Sequence, residues 1–162
     1  MIAEQIMDTL KEIIETNKTE GNVYNVFFHA DKAIRNKEVI VESSPNINQE
    51  INQRTATSIF WGLYFRKNES EKICLTFGHR YLDTYQQNSC VHYTMLMHEY
   101  RHLYDYYSNP ETFFKSNEKE RFHFELKARK IEVDIGLIFY QSKLWVFKEF
   151  KQKNEFYPLF GW

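Results

Sequence analysis

Cys90-Val-His-Tyr-Thr-Met-Leu-Met-His-Glu-Tyr-Arg-His-Leu-Tyr-Asp105 holds no glycine or proline and reads as one helix. Inside it, His98-Glu-Tyr-Arg-His102 has the form HExxH. Side chains four apart on a helix lie one above the other on one face. His98 and His102 are therefore expected to aim two imidazoles at one point. Two neutral ring nitrogens hold a zinc ion at about 2.0–2.1 Å each. Glu99 sits one step round the helix, close enough to take a proton from a water at that metal. Val91 and Met95 precede His98 on its own face and prolong it with apolar side chains. A face turned wholly to solvent would not be built that way.

The 162 residues suggest a single domain spanning 1–162. A 43% hydrophobic content with fourteen Phe and eleven Tyr is enough for a real core. The net charge of −1, without a long run of one sign, argues against nucleic-acid binding through a basic surface. Two cysteines, Cys74 and Cys90, do not make a disulfide framework, and free thiols suit a reducing compartment. The opening Met1-Ile-Ala-Glu-Gln is acidic within four residues and unlike a signal peptide. No apolar run is long enough to span a membrane. The expectation is a soluble, cytoplasmic protein without membrane contact; oligomeric state is not legible.

Outward from the central run, Ile2, Ile6, Leu10, Ile13 and Ile14 recur at helical spacing, which predicts an amphipathic first helix ending near Asn17. Val23 to Phe28 and Val39 to Val41 read as short strands, with a helical turn between Asp31 and Arg35. The polar stretch from Ser43 to Arg54 reads as an irregular loop. Residues 56–65 alternate, and with Lys72 to Phe77 they predict a β-hairpin. Gly78 to Asn88 reads as a loop, with Ser89 able to cap the HExxH helix. Pro110 ends that helix. Glu118 to Tyr140 predicts a long second helix capped by Asn117, with Phe122, Leu126, Val133 and Leu137 as its core stripe. The tail from Leu144 is aromatic and expected to pack in the core. The fold class is α+β: a small mixed sheet, an HExxH helix and a second metal-ligand helix.

A catalytic zinc takes three protein ligands and leaves one position for water. A metzincin would place glycine and histidine at positions 105 and 108. Asp105 and Ser108 stand there, which excludes that class. The second helix offers Glu125 and Glu132, seven apart on one face, with small Ala128 between them to permit close helix approach. Glu125 is the expected third ligand, Glu132 the runner-up and His123 a weaker candidate. Asp105, on the metal-facing side, is a candidate to accept a hydrogen bond from a ligand histidine.

A helix with His98-Glu99-Tyr-Arg-His102, then one with Glu125-Leu-Lys-Ala128, resembles the gluzincin arrangement. The order of helix, hairpin, HExxH helix and carboxylate helix is similar to small ImmA/IrrE-type metallopeptidases and other minimal gluzincins. The resemblance covers roughly residues 55 to 140, and HExxH is its one specific motif. It implies a zinc peptidase with a small sheet beside two zinc-binding helices. Thermolysin-like gluzincins usually carry Asp four residues after the ligand Glu, where it supports a zinc-binding His; this chain has Arg129 there.

The expected activity is zinc-dependent hydrolysis of a peptide or protein substrate. Water activated at the metal attacks, and Glu99 serves as general base and then delivers the proton to the leaving amine. Tyr104, Tyr106, Tyr107, His79 and Arg80 are available as oxyanion donors, but no spacing rule selects among them. Residues 72–77 are the expected edge for an extended peptide. Two other readings compete. One is a zincin-derived, metal-binding interaction protein with little turnover. The other is a latent peptidase with the tail from Asn154 across the cleft.

Overall fold

The computed structural model describes residues 2–16, 21–44, 63–85 and 89–141. Five α-helices and a three-stranded mixed sheet make up its regular structure, so the fold class is α+β. The alternating residues before Leu63, most of the polar loop from Ser43, the Ser89 side chain and the aromatic tail from Leu144 lie outside the described residues.

Helix α1 covers Ile2–Thr16 and buries Ala3, Ile6, Met7, Leu10 and Ile14. Ile2, expected on that face, is half exposed. Helix α2 covers Gly21–Arg35 and includes the Val23–Phe28 segment expected as a strand. Its residues have high β propensity, but Val23, Val26, Phe27, Ala30 and Ala33 are buried at helical spacing. Packing of that stripe overrides the local preference. Arg35 ties α2 to α1: its Nη2 donates to Asp8 at 2.8 Å, and its Nε donates to Asp31 at 2.9 Å.

Strands β1 (Ile40–Ser44), β2 (Leu63–Lys67) and β3 (Ile73–Gly78) lie in the order β1-β3-β2. β1 runs parallel to β3, and β2 runs antiparallel to it. The expected hairpin is thus present as β2 and β3. Asn68 closes its turn by accepting from the Ser70 and Lys72 amides at 2.9 and 3.0 Å. β3 is nevertheless the central strand, which corrects the expectation that residues 72–77 form an open edge. Among the described strands, β2 is an edge. Leu63, Phe65, Leu75 and Phe77 enter the core from the sheet. On the opposite face, Glu42 accepts from Thr76 at 2.8 Å and from Arg66 at 3.0 Å.

Residues 79–84, expected within a loop, form a short helix, α3 (His79–Thr84). Buried Tyr81 fixes it to the next helix by donating to the His92 carbonyl at 2.5 Å, while the His92 ring approaches the Tyr81 carbonyl at 2.6 Å. That next helix, α4 (Ser89–Ser108), carries HExxH and packs against α2, β2 and the last helix. Val91 is buried and Met95 half-buried, as the apolar face requires. A 3₁₀ turn at Phe113–Lys115 leads to α5 (Glu118–Gln141). Asn117 caps α5 by accepting from the Glu120 amide at 2.9 Å.

The buried stripe of α5 differs from the expected one. Ala128, Ile131, Ile135 and Phe139 are inaccessible, whereas Phe122, Leu126 and Leu137 are exposed. Both stripes are apolar at helical spacing. The contacts of Glu125 with His98 and His102, and of Glu132 with His98, mark the face of α5 that meets α4.

Candidate metal centre

Helix α4 contributes His98, Glu99 and His102, all nearly buried. Their spacing over one turn brings the two Nε2 atoms within 3.0 Å of each other. Helix α5 then brings Glu125 to the same point. Its Oε1 lies 3.0 Å from His102 Nε2, and its Oε2 lies 3.3 Å from His98 Nε2. Ala128, one turn further on, is fully buried and allows this approach. The Glu125 side chain keeps 49% of its surface exposed, so the cluster opens to solvent on the α5 side.

This donor set fits a zinc ion. Metal–ligand bonds of about 2.0–2.1 Å in a tetrahedron separate neighbouring ligand atoms by about 3.3–3.4 Å. The separations in the chain, 3.0 to 3.3 Å, lie close to that value. His98, His102 and Glu125 are the one group of this kind among the described residues. Glu132, the runner-up ligand, takes a different place. Its carboxylate meets Nδ1 of His98, the ring nitrogen turned away from the cluster. With the proton on Nδ1, the Nε2 lone pair faces the cluster. His123 is exposed on α5, outside the cluster.

Asp105 is buried but does not serve the histidines. Arg101 holds it through two contacts of 3.1 Å, one from Nε and one from Nη2. The geometric reason is the i,i+4 relation between the two residues, which pairs them along α4. Nδ1 of His102 has no hydrogen-bond partner among the described residues. Position 129, where the thermolysin-like pattern has Asp, holds Arg129; the carboxylate on His98 comes instead from three residues later. Sequence reasoning singled out Glu132 but assigned it another task. Its seven-residue spacing from Glu125 was the available signal, since two turns keep a side chain on the same face.

Glu99, on α4 beside the cluster, reaches across to β2. Its Oε2 accepts a hydrogen bond of 3.1 Å from the Phe65 amide. Burial raises its carboxyl above the ordinary range, opposed by the charges of His98 and His102. For His98, burial favours the neutral ring, but contacts with Glu125 and Glu132 outweigh it and raise the imidazole to about 10 in the metal-free protein. Burial likewise pushes Glu125 upward, yet hydrogen bonds with His102 and His98 hold it well below the usual carboxylate range. Carboxylates and imidazoles thus stabilise each other's charge in a pocket that a cation would also satisfy.

Aromatic rings form one wall. Phe113 lies 5.9 Å from His102, 4.9 Å from Phe124 and 5.8 Å from Phe65 between ring centres. Tyr106, one of the side chains available in sequence as an oxyanion donor, joins this wall beside Phe65. Tyr104 packs on His29 and Arg101, on the α2 side of α4. Tyr107, His79 and Arg80 are exposed.

Both cysteines are buried and unpaired, and burial pushes the Cys90 thiol up to about 12. Neither belongs to the cluster. No described helix is long and apolar enough to cross a membrane. Comparison with protein-family models, curated proteins and solved structures finds no match.

Proposed function

We propose that the chain is a zinc-dependent metallopeptidase of zincin-like architecture. His98, His102 and Glu125 are its metal ligands, and Glu99 is its general base. The convergence of two Nε2 atoms and one carboxylate at 3.0–3.3 Å carries the proposal. A bound zinc ion supplies Lewis acidity, polarising the scissile carbonyl and lowering the pKa of water toward about 7.

The remaining work falls to the chain's own groups. Glu132 holds His98 with its Nε2 lone pair toward the site. Glu99 keeps Oε2 on the Phe65 amide and takes the proton of the attacking water on Oε1. It then passes that proton to the leaving amine. Among the described strands, the edge available to an extended peptide is β2, beside α4, rather than the central β3. A substrate on that edge lies against the aromatic wall of Phe113.

Metal analysis of the purified chain with peptide-library cleavage tests the proposal. The expected result is about one zinc per chain and cleavage that chelator removes and zinc restores. Glu99→Gln is expected to keep the metal and lose the cleavage. Zinc uptake with cleavage that is indifferent to Glu99→Gln would instead support a metal-binding module. No zinc uptake at all would sink the proposal.

A further inference from the structure

The Phe65 amide is buried, sits on a strand that is an edge among the described strands and donates to a side chain of another element. Residues opposed across an antiparallel pair alternate between those that exchange backbone hydrogen bonds and those that do not. Just past β2, Asn68 donates to the Lys72 carbonyl at 2.9 Å, in continuation of the Leu63–Phe77 to Lys67–Ile73 register. The even-numbered residues Tyr64 and Arg66 therefore bond to β3. Leu63, Phe65 and Lys67 turn their peptide groups away from it. Phe65 meets Glu99 there.

We infer that the peptide N–H of Phe65 is the positioning group for the general base Glu99, an inference that rests on the peptidase reading above. The terminal torsion of a glutamate has a broad, roughly two-fold profile, so packing alone fixes its carboxylate plane poorly. A donor held by a rigid backbone fixes it well. Phe65 is so held: its peptide belongs to a paired strand, and its ring packs on Tyr106, Phe113 and Phe114 at 5.6 to 6.0 Å. With Oε2 anchored, Oε1 becomes the oxygen that accepts the proton. The same bond removes the Phe65 N–H from substrate pairing. An extended peptide on β2 must then bond through the N–H groups of Leu63 and Lys67 and the outward carbonyls.

Amide hydrogen exchange on the metal-free 162-residue chain tests the contact directly. The Phe65 amide is expected to be protected in the wild type and to exchange at least about tenfold faster in Glu99→Ala. Tyr64 and Arg66 should stay within about twofold of their wild-type rates. Glu99→Gln keeps an acceptor oxygen and should retain part of the protection. On the zinc-loaded enzyme, Phe65→Pro removes the N–H, while Phe65→Ala removes only the ring. Phe65→Pro should lower kcat by about tenfold more than Phe65→Ala at similar KM and zinc content, and should add nothing in a Glu99→Gln background.

Phe65 exchange that ignores Glu99→Ala would overturn the inference. Equal kcat for the proline and alanine variants would do the same. Should Phe65→Pro fail to fold, the exchange comparison decides alone. A chain that takes up zinc yet cleaves nothing would defeat the peptidase reading, and exchange would still decide whether Phe65 fixes Glu99.

Discussion

Glu132 separates two kinds of carboxylate at the site. Glu125 meets the face of His98 that points into the cluster, and Glu132 meets the face that points away. Removal of an outer partner of this kind typically costs 10–100-fold in metal affinity. Glu132→Gln is therefore expected to weaken zinc binding by roughly that factor, as measured by competition with a chromogenic chelator. Glu125→Gln and His98→Ala remove proposed ligands outright and should weaken it further. If Glu132→Gln proved the more damaging of the two Glu substitutions, the ligand assignment would have to be exchanged. Glu99→Gln should leave affinity nearly intact while cutting kcat by about 10²–10⁴, the usual contribution of a positioned base. These variants address metal and rate separately because Glu99 touches Phe65, whereas Glu132 touches His98.

At the scale of elements, the site depends on how closely α5 lies on α4. Ala128, fully buried and flanked by Glu125 and Glu132 a turn away on either side, leaves room for that approach. Ala128→Leu should destabilise the chain by about 1–3 kcal/mol through overpacking. It should also weaken zinc binding, because it moves two carboxylates at once; thermal melts with and without chelator would show both effects. Unchanged affinity would mean that the carboxylates tolerate a displaced helix. The value of Ala128 was readable from its size and its place between two acids. The HExxH face was readable too, since periodicity and chemistry agree in α4. The rotation of α5 was not. Phe122, Leu126 and Leu137 offer as good a helical stripe as Ile131, Ile135 and Phe139, and an isolated sequence does not show which one meets α4. In α2, valines and aromatics suggested a strand where burial at 23, 26, 27, 30 and 33 imposes a helix. The edge strand was misassigned because strand order arises from β1, which joins β3 across a long connection. Non-local pairing of that kind leaves no local pattern.

For the molecule as a whole, the cluster should make stability depend on pH in opposite senses in the metal-free chain and in the zinc-bound chain proposed above. In the metal-free chain, the folded His98 imidazole is raised from an ordinary 6.5 to about 10. Its contribution is fully present below about 6.5 and fades as pH rises through about 10. Glu99, raised by burial, acts in the same sense from its ordinary 4.5 upward. Glu125 is lowered, so its contribution is present above 4.5 and is lost as pH falls through its folded value. His98 and Glu125 together place the maximum contribution to metal-free stability between pH 4.5 and 6.5, and the decline from Glu99 draws it toward the lower end of that window. Zinc on the proposed ligands should reverse the trend, because imidazoles must give up protons to bind it and affinity therefore rises with pH. Stabilisation by a ligand grows with its concentration relative to Kd. The rise in Tm on adding excess zinc should thus be larger at pH 8 than at pH 5.5, while the Tm of the chelated protein should fall between pH 6 and pH 10. Melts of the wild type across that range, repeated for His98→Ala, isolate the histidine. If the chelated protein showed the same decline with and without His98, the pH dependence would belong to other groups. The mutual charge stabilisation of His98 and Glu125 would then not be what holds the metal-free cluster together.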